Sequence, residues 1–191
     1  MMNGTYFIAS DIHGSAYWCE RMLGKFHESG AEKLILLGDL LYHGPRNELP
    51  KDYDTKKVTA LLNAEKQNVI AVRGNCDAEV DQMVLSFPIM ADFAWLCING
   101  KNIFATHGHV YNDEEPLKMP LLASGDVLLH GHIHLPVVEK KELPEGGFYY
   151  LLNPGSVSLP KGGNPNSYAV LKDNRYTVLD FDGNTLKEIN L

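Results

Sequence analysis

The stretch VIAVRGNCDAEV, residues 69 to 80, decides how the chain reads. Val69 to Val72 form an apolar, strand-like run, Gly74-Asn75 breaks it, and an acidic opening at Asp77 suits a helix N-terminus. Such a unit sets polar side chains just past a strand end, where α/β sheets place their sites. Here the break presents an amide oxygen, on Asn75, and beside it the thiol of Cys76. That thiol reads three ways: a nucleophile, a metal ligand, or a replacement for another group.

Outward from this stretch the same grammar recurs. Strand-like runs fall at Thr5–Ser10, Lys33–Leu37, Asn68–Val72, Trp95–Ile98, Asn102–Thr106, Val127–His130, Phe148–Leu152, Tyr168–Leu171, Tyr176–Phe181 and Thr185–Ile189. Helical spacing marks Ala16–Ser29, which closes on Gly30, and also Thr55–Lys66 and Asp77–Leu85. Asn99-Gly100 and Asp182-Gly183 are two-residue hairpin signals. Glu114–Leu122 and Lys161–Asn166 read as loops, punctuated by Pro and Gly. Alternating β and α in the first half, with mostly β in the second, predicts an α/β fold of mixed sheets covered by helices. No repeat or linker divides the 191 residues, so one domain spanning 1–191 is expected.

A net charge of −7 offers no general basic surface for nucleic acid. Three scattered cysteines, Cys19, Cys76 and Cys97, suggest no disulfide framework and fit a reducing cytoplasm. The apolar run near the N-terminus is too short for a signal peptide, and no stretch is long enough to span a membrane.

Five polar clusters follow strand-like runs: Asp11-Ile12-His13, Gly38-Asp39, Gly74-Asn75, Thr106-His107-Gly108-His109 and Gly131-His132-Ile133-His134. Each alone is ordinary, a capping Asp or a glycine turn. Together they form a mixed carboxylate, amide and imidazole set suited to divalent transition metals. Alternate residues of an extended segment share a side, so Asp11 with His13, and His132 with His134, are expected to converge. Seven ligands suit two ions if one carboxylate is shared, and Asp39, with two oxygens, is the natural bridge.

The order DIHG, GDLL, GNCD, THGH, GHIH resembles the binuclear metallophosphoesterases, of calcineurin-like type, and breaks their pattern at one position. HGPRN (43–47) and NPGSVSLPKGGNPNSYAV (153–170) are similar to the YfcE group of small bacterial phosphodiesterases. The resemblance implies a four-layer α/β/β/α sandwich with two mixed sheets and metals at the strand ends. It implies one ion held by Asp11, His13, Asp39 and His134, and another by Asp39, Asn75, His107 and His132. The break is Cys76, which stands where the family has a His that helps the leaving group depart. Cys76 is thus read as a replacement at the leaving-group position, expected as a thiolate beside cations, with small-residue packing as the other reading.

Arg46 and Arg73 have the fork that suits non-bridging phosphate oxygens, or serve as structural ion-pair partners. His109 and His43 stand beside motif residues, with leaving-group contact or support of a ligand both open. His130 and His27 read as structural or surface, and Cys19 and Cys97 as core. The activity implied is a metal-dependent phosphodiesterase in which a hydroxide bridging two divalent ions attacks phosphorus in line. Manganese is the expected ion, with Fe, Ni or Zn as alternatives, and small phosphodiesters are the expected substrates. A homo-oligomer is expected from the family. Rival readings are a silent protein-binding scaffold, as in the retromer subunit of this fold, and an enzyme for phosphomonoesters or dinucleoside polyphosphates.

Overall fold

The apolar runs at residues 6–9, 33–36 and 69–71 become three parallel strands because helices return the chain between them. The computed structural model describes residues 4–114 and 119–191. Strands β1 (Tyr6–Ala9), β2 (Lys33–Leu36) and β3 (Val69–Ala71) alternate with helices α1 (Ala16–Ser29) and α2 (Thr55–Ala64), and α3 (Glu79–Val84) follows β3. Ser15 caps α1 by accepting from the Trp18 N–H, and Gly30, at φ 65°, ends it. Asp54 caps α2 in the same way through Lys57. Helix α3 starts two residues later than expected, because the Asp77 carboxylate is turned toward neighbouring loops instead of its own helix.

The remaining strands are β4 (Phe93–Ile98), β5 (Lys101–Thr106), β6 (Val127–Leu129), β7 (Pro136–Glu142), β8 (Phe148–Pro154), β9 (Ser167–Lys172), β10 (Arg175–Asp180) and β11 (Thr185–Asn190). One sheet has the order β11-β10-β9-β1-β2-β3, the other β4-β5-β6-β8-β7, and both mix parallel with antiparallel pairs. Strand β7 has no counterpart among the expected runs. It begins with a proline and ends in Glu139-Lys140-Lys141-Glu142, the composition of a sheet edge that must not recruit another strand, and it lies on the edge.

Alternation along β1 and β2 sorts the core. Phe7, Ala9, Leu34 and Leu36 face the helices with Cys19, Met22, Phe26, Val58 and Leu62. Ile8, Ile35 and Leu37 point the other way, against Ala105, Leu129 and Leu152 of the second sheet. On that sheet's outer face Phe104, Leu128, Tyr149 and Leu151 pack with Tyr111, Met119 and Leu122. The α/β/β layers are therefore as expected, while the outermost covering is side chains of the β5–β6 connection, with no helix there among the described residues. Residues 115–118 of the loop expected over 114–122 lie outside the described residues.

The Asn99-Gly100 turn is as expected, with φ of 51° and 80° between paired Ile98 and Lys101. Asp182-Gly183 is instead part of a four-residue connection, closed by the Asp180 carboxylate accepting from Asp182 and Asn184. Cys97 is not core: it is exposed, because β4 is an edge strand whose outward side carries Phe93, Trp95 and Cys97. Among the described residues no helix is long and apolar enough to cross a membrane.

Phe7 joins the strands to the helix layer: fully buried, it stacks on Tyr168 at 4.6 Å and meets Phe26 edge-on at 6.0 Å. Phe7→Ala should cost about 3–5 kcal/mol of unfolding free energy. Denaturant titration checks this; a midpoint shift equivalent to less than about 1 kcal/mol would show that the core closes over the gap.

Candidate metal centre

The C-terminal ends of β1, β2, β3, β5 and β6 meet at one place, and the polar residues after them fill it. The backbone there is unusual. Asp11, His13, Asp39, His132 and His134 have φ of 60°, 49°, 55°, 68° and 59°. Asp and His enter this left-handed region more readily than most residues, yet each such residue costs on the order of 1–3 kcal/mol. Asp11/His13 and His132/His134 thus converge through paired left-handed turns, not through the extended alternation expected from the sequence.

Two glycines let the loops nest. A Cβ on Gly74 would lie 2.1 Å from Asp39 Oδ1, and one on Gly38, at φ 94°, would meet the Gly74 nitrogen at 2.4 Å. Asp77, absent from the sequence-based candidates, ties the same loops together. Its buried carboxylate accepts from the backbone N–H groups of Asp39 (2.8 Å), Leu40 (2.8 Å) and Gly74 (2.7 Å). From the far side, Ser156 and Ser158 hydroxyls donate to the Asp11 carbonyl, and Asn153 donates to the Gly131 carbonyl. The NPGSVS segment carried these residues in plain view, but only long-range contacts reveal their job.

Three imidazoles are oriented alike. The Nδ1–H of His13 donates to the Tyr42 carbonyl (2.8 Å), that of His107 to Leu37 (2.6 Å) and that of His134 to Leu159 (2.6 Å). A carbonyl only accepts, so each Nδ1 carries the proton and each Nε2 faces inward, the arrangement of metal-ligating histidine. His13 Nε2 and His134 Nε2 stand 3.3 Å apart, with Asp11 Oδ1 at 3.6 and 3.2 Å from them. His107 Nε2 lies 3.1 Å from Asn75 Oδ1 and 3.2 Å from His132 Nδ1. Asp39 Oδ2 is 3.6 Å from His13 Nε2 and 3.4 Å from His107 Nε2, so one oxygen faces both groups. Asp39 Oδ1 accepts from the Cys76 N–H (2.8 Å), so of its two oxygens Oδ2 is the one turned toward both groups of histidines.

Asp11 Oδ1 is buried and accepts no well-formed hydrogen bond, a deficit of about 1–3 kcal/mol unless a cation supplies the partner. Carboxylate and imidazole atoms of Asp11, His13 and His134, and of Asp11, Asp39 and His107, lie within 4.8 Å of one another. Hard oxygens with borderline nitrogens suit divalent first-row metals, so the residues fit two such ions.

Electrostatics follow from this crowding. Burial by itself raises the Asp11 carboxyl, but the adjacent His13 and His134 rings, and then the His107 charge, outweigh it and hold it well below the usual carboxylate range. Burial opposes charge on His107, yet the bond to Asp39 and the Asp11 charge lift it to about 9. His132 drops to about 4 through burial and the neighbouring His107 charge. Cys76 is pushed up to about 12 by burial and then by Asp39, so without ions the protein's own groups keep it a thiol, and the thiolate expected beside cations is a property of the loaded site. Its sulfur lies within 4.8 Å of ligand atoms of His13 and Asp39, and Asn75 Nδ2 donates to it at 3.2 Å.

A cavity of about 330 Å³ opens over this cluster, lined among others by Asp39, Cys76, His132, His134, Arg46 and Lys161. Arg73 does not line it; its guanidinium pairs with Asp92 at 2.7 Å, the ion-pair alternative of the sequence reading. His109 borders a smaller cavity of about 190 Å³ with His130 and Asp113, its ring 5.3 Å from that of His107. His43 is set between Tyr42 and Tyr53, and His27 is on the surface with Glu65.

Residues 5–175 match the family model described as the calcineurin-like phosphoesterase superfamily domain, and the chain belongs to that family. Within it, phosphodiesterase YfcE of Escherichia coli K12 is 50% identical over 171 residues, covering 90% of this chain and 89% of the relative. A solved structure of YfcE, described as a phosphoesterase from E. coli, superposes with a TM-score of 0.89 at 45% identity, over 97% of this chain and 98% of that one. The probable metallophosphoesterase YsnB of Bacillus subtilis is 26% identical over 190 residues, 95% of this chain and 94% of its own. Vps29 of Chaetomium thermophilum shares the fold alone, with a TM-score of 0.54 at 16% identity, over 97% of this chain and 96% of that one.

His107 is protonated at neutral pH without a metal, so an ion that takes its Nε2 as a ligand has to displace that proton. Mn²⁺ binding at neutral pH should release protons, and affinity should climb with pH and level off above about 9. Calorimetric titration in buffers of different ionisation enthalpy reads both; an affinity flat between about pH 6 and 9 would remove His107 from the donor set.

Proposed function

We propose that this protein hydrolyses phosphodiesters at a two-metal centre, with one ion held by Asp11, His13, Asp39 and His134 and the other by Asp39, Asn75, His107 and His132. The observation that carries the reading is the inward convergence of Nε2 atoms whose Nδ1–H groups are already committed to backbone carbonyls. Half identity to a phosphodiesterase over nearly the whole chain supports the same reaction class. When bound, such ions lower the pKa of water and neutralise charge on the phosphoryl oxygens. The protein's own groups do the rest. Backbone carbonyls fix the imidazole tautomers, Asp39 Oδ2 faces both His13 and His107 and would be shared between the ions, and Asn75 offers a neutral oxygen. Arg46 at the cavity rim can hold a substrate oxygen.

Cys76 is the leaving-group neighbour in this reading. A thiol is a weak proton donor, so the site favours leaving groups that depart without a proton. The reading further takes manganese as the activating ion, the cytoplasm as the compartment, a homo-oligomer as the assembled form and one domain over 1–191. A silent scaffold is disfavoured by the complete donor set.

Chelation should abolish diester hydrolysis and lower the melting temperature, and Mn²⁺ should restore both. Asp39→Asn should lose more than the roughly 10–100-fold typical of outer-shell changes. Turnover by exhaustively metal-free protein, or near wild-type turnover by the variant with two metals bound, would refute the assignment.

Cys76→His supplies a proton donor that titrates near neutrality. It should extend hydrolysis to poorer leaving groups and raise the monoester-to-diester ratio of kcat/KM by roughly tenfold or more. Esters sharing one leaving group, at equal metal content, check this; an unchanged ratio would leave Cys76 as packing.

A further inference from the structure

The cavity over the metal centre has two cations on its rim that no acidic group among the described residues pairs with. Arg46 comes from the loop after β2 and Lys161 from the loop after β8, yet both line the same 330 Å³ space. Among the described residues, neither side chain makes an ion pair. The other arginines all do, Arg21 with Asp182, Arg73 with Asp92 and Arg175 with Glu188. In a chain of net charge −7, two unpaired cations at the mouth of one cavity concentrate positive potential there.

Both are set by the site itself. Gly44, at φ 79°, starts the turn that carries Arg46; a Cβ there would press on Cys76 Sγ at 3.1 Å. That turn is closed by the Asn47 N–H on the Gly44 carbonyl and by Asn47 Nδ2 on the His43 carbonyl. Lys161 donates its backbone N–H to the His134 carbonyl at 3.1 Å, two residues after the Leu159 carbonyl that orients the His134 ring. Each cation is thus fixed in backbone position to a residue of the cavity floor, while its side chain stays exposed at the rim.

A phosphodiester group has a single negative charge. Two dications against the carboxylates of Asp11 and Asp39 and one hydroxide already balance it, so the rim cations are surplus to the scissile group. Resting on the phosphodiesterase reading above, we propose that Arg46 and Lys161 form a subsite for a second anionic group, a phosphate or carboxylate on the part of the diester that is not the leaving group. The substrate class is then a diester with an additional anion, and the two side chains determine specificity without touching the reacting atoms. Arg presents a fork for such an oxyanion and Lys a movable point charge.

The test compares three p-nitrophenyl diesters with the same leaving group: the 5′-ester of thymidine 3′,5′-bisphosphate, the ester of thymidine 5′-phosphate, and p-nitrophenyl phosphorylcholine. With Mn²⁺-loaded full-length protein at low salt, kcat/KM should fall in that order, the remote phosphate giving roughly a tenfold advantage over its absence, mainly in KM. High salt should shrink that advantage, since rim charges are screened. Lys161→Gln and Arg46→Gln should each reduce the bisphosphate-to-monophosphate ratio severalfold; reading a ratio within one variant cancels any general loss of active protein. Equal kcat/KM for the two thymidine esters, or a ratio indifferent to salt and to both substitutions, overturns the subsite and leaves the phosphodiesterase reading standing. No metal-dependent hydrolysis of any of the three overturns both.

Discussion

The Asp77 carboxylate, accepting three backbone N–H groups from the loops after β2 and β3, is the contact on which the metal centre depends. It holds Asp39 and Gly74 side by side, which places Asp39 Oδ1 on the Cys76 N–H and leaves Oδ2 facing the histidines. Burial raises the pKa of Asp77, the cost of keeping a carboxylate out of water, and its hydrogen bonds to backbone offset part of that cost. The left-handed conformations of Asp11, His13, Asp39, His132 and His134 add a further cost, maintained by the two packed sheets beneath them. A strained, donor-rich cluster on a rigid support is what a binding site for cations requires.

The same constraint separates fold from activity. Vps29 has this architecture, and a shared architecture does not carry chemistry. In the present chain the chemistry rests on the set of inward nitrogens and oxygens, with Cys76 beside it. At that position cysteine keeps space and a weak hydrogen-bonding group, and burial and the Asp39 charge oppose its ionisation. The surrounding cavity is then defined by what rims it, and Arg46 and Lys161 make that rim cationic in an acidic protein.

Much of the layout was legible along the chain. Helix α1 runs over Ala16–Ser29 as its spacing predicts, because its cap, apolar face and terminal glycine agree. Strand β7 was not legible, since an edge strand is built to look unlike a strand. The turn at Asp173-Asn174, both left-handed, is a tight hairpin that lacks the glycine by which such turns are recognised. Cys97 was misplaced because a period-two pattern does not say which side of an edge strand is covered.

For the candidate site, the residue types at the ends of apolar runs nominated a carboxylate, amide and imidazole donor set, since strand ends gather in α/β sheets. The family resemblance singled out Asp11, His13, Asp39, Asn75, His107, His132 and His134 within it. Sequence therefore determined which donor atoms exist and the class of ion they suit. Tertiary structure alone decided which nitrogen of each ring faces inward, which oxygen of Asp39 faces the histidines, and that Arg73 is committed to Asp92 while Arg46 and Lys161 share the rim of one cavity. Those outcomes rest on contacts between residues far apart in the chain, such as Asp11 with His134 and His134 with Leu159. Local pattern has no term for such contacts; they arise only when two sheets pack and bring their strand ends together.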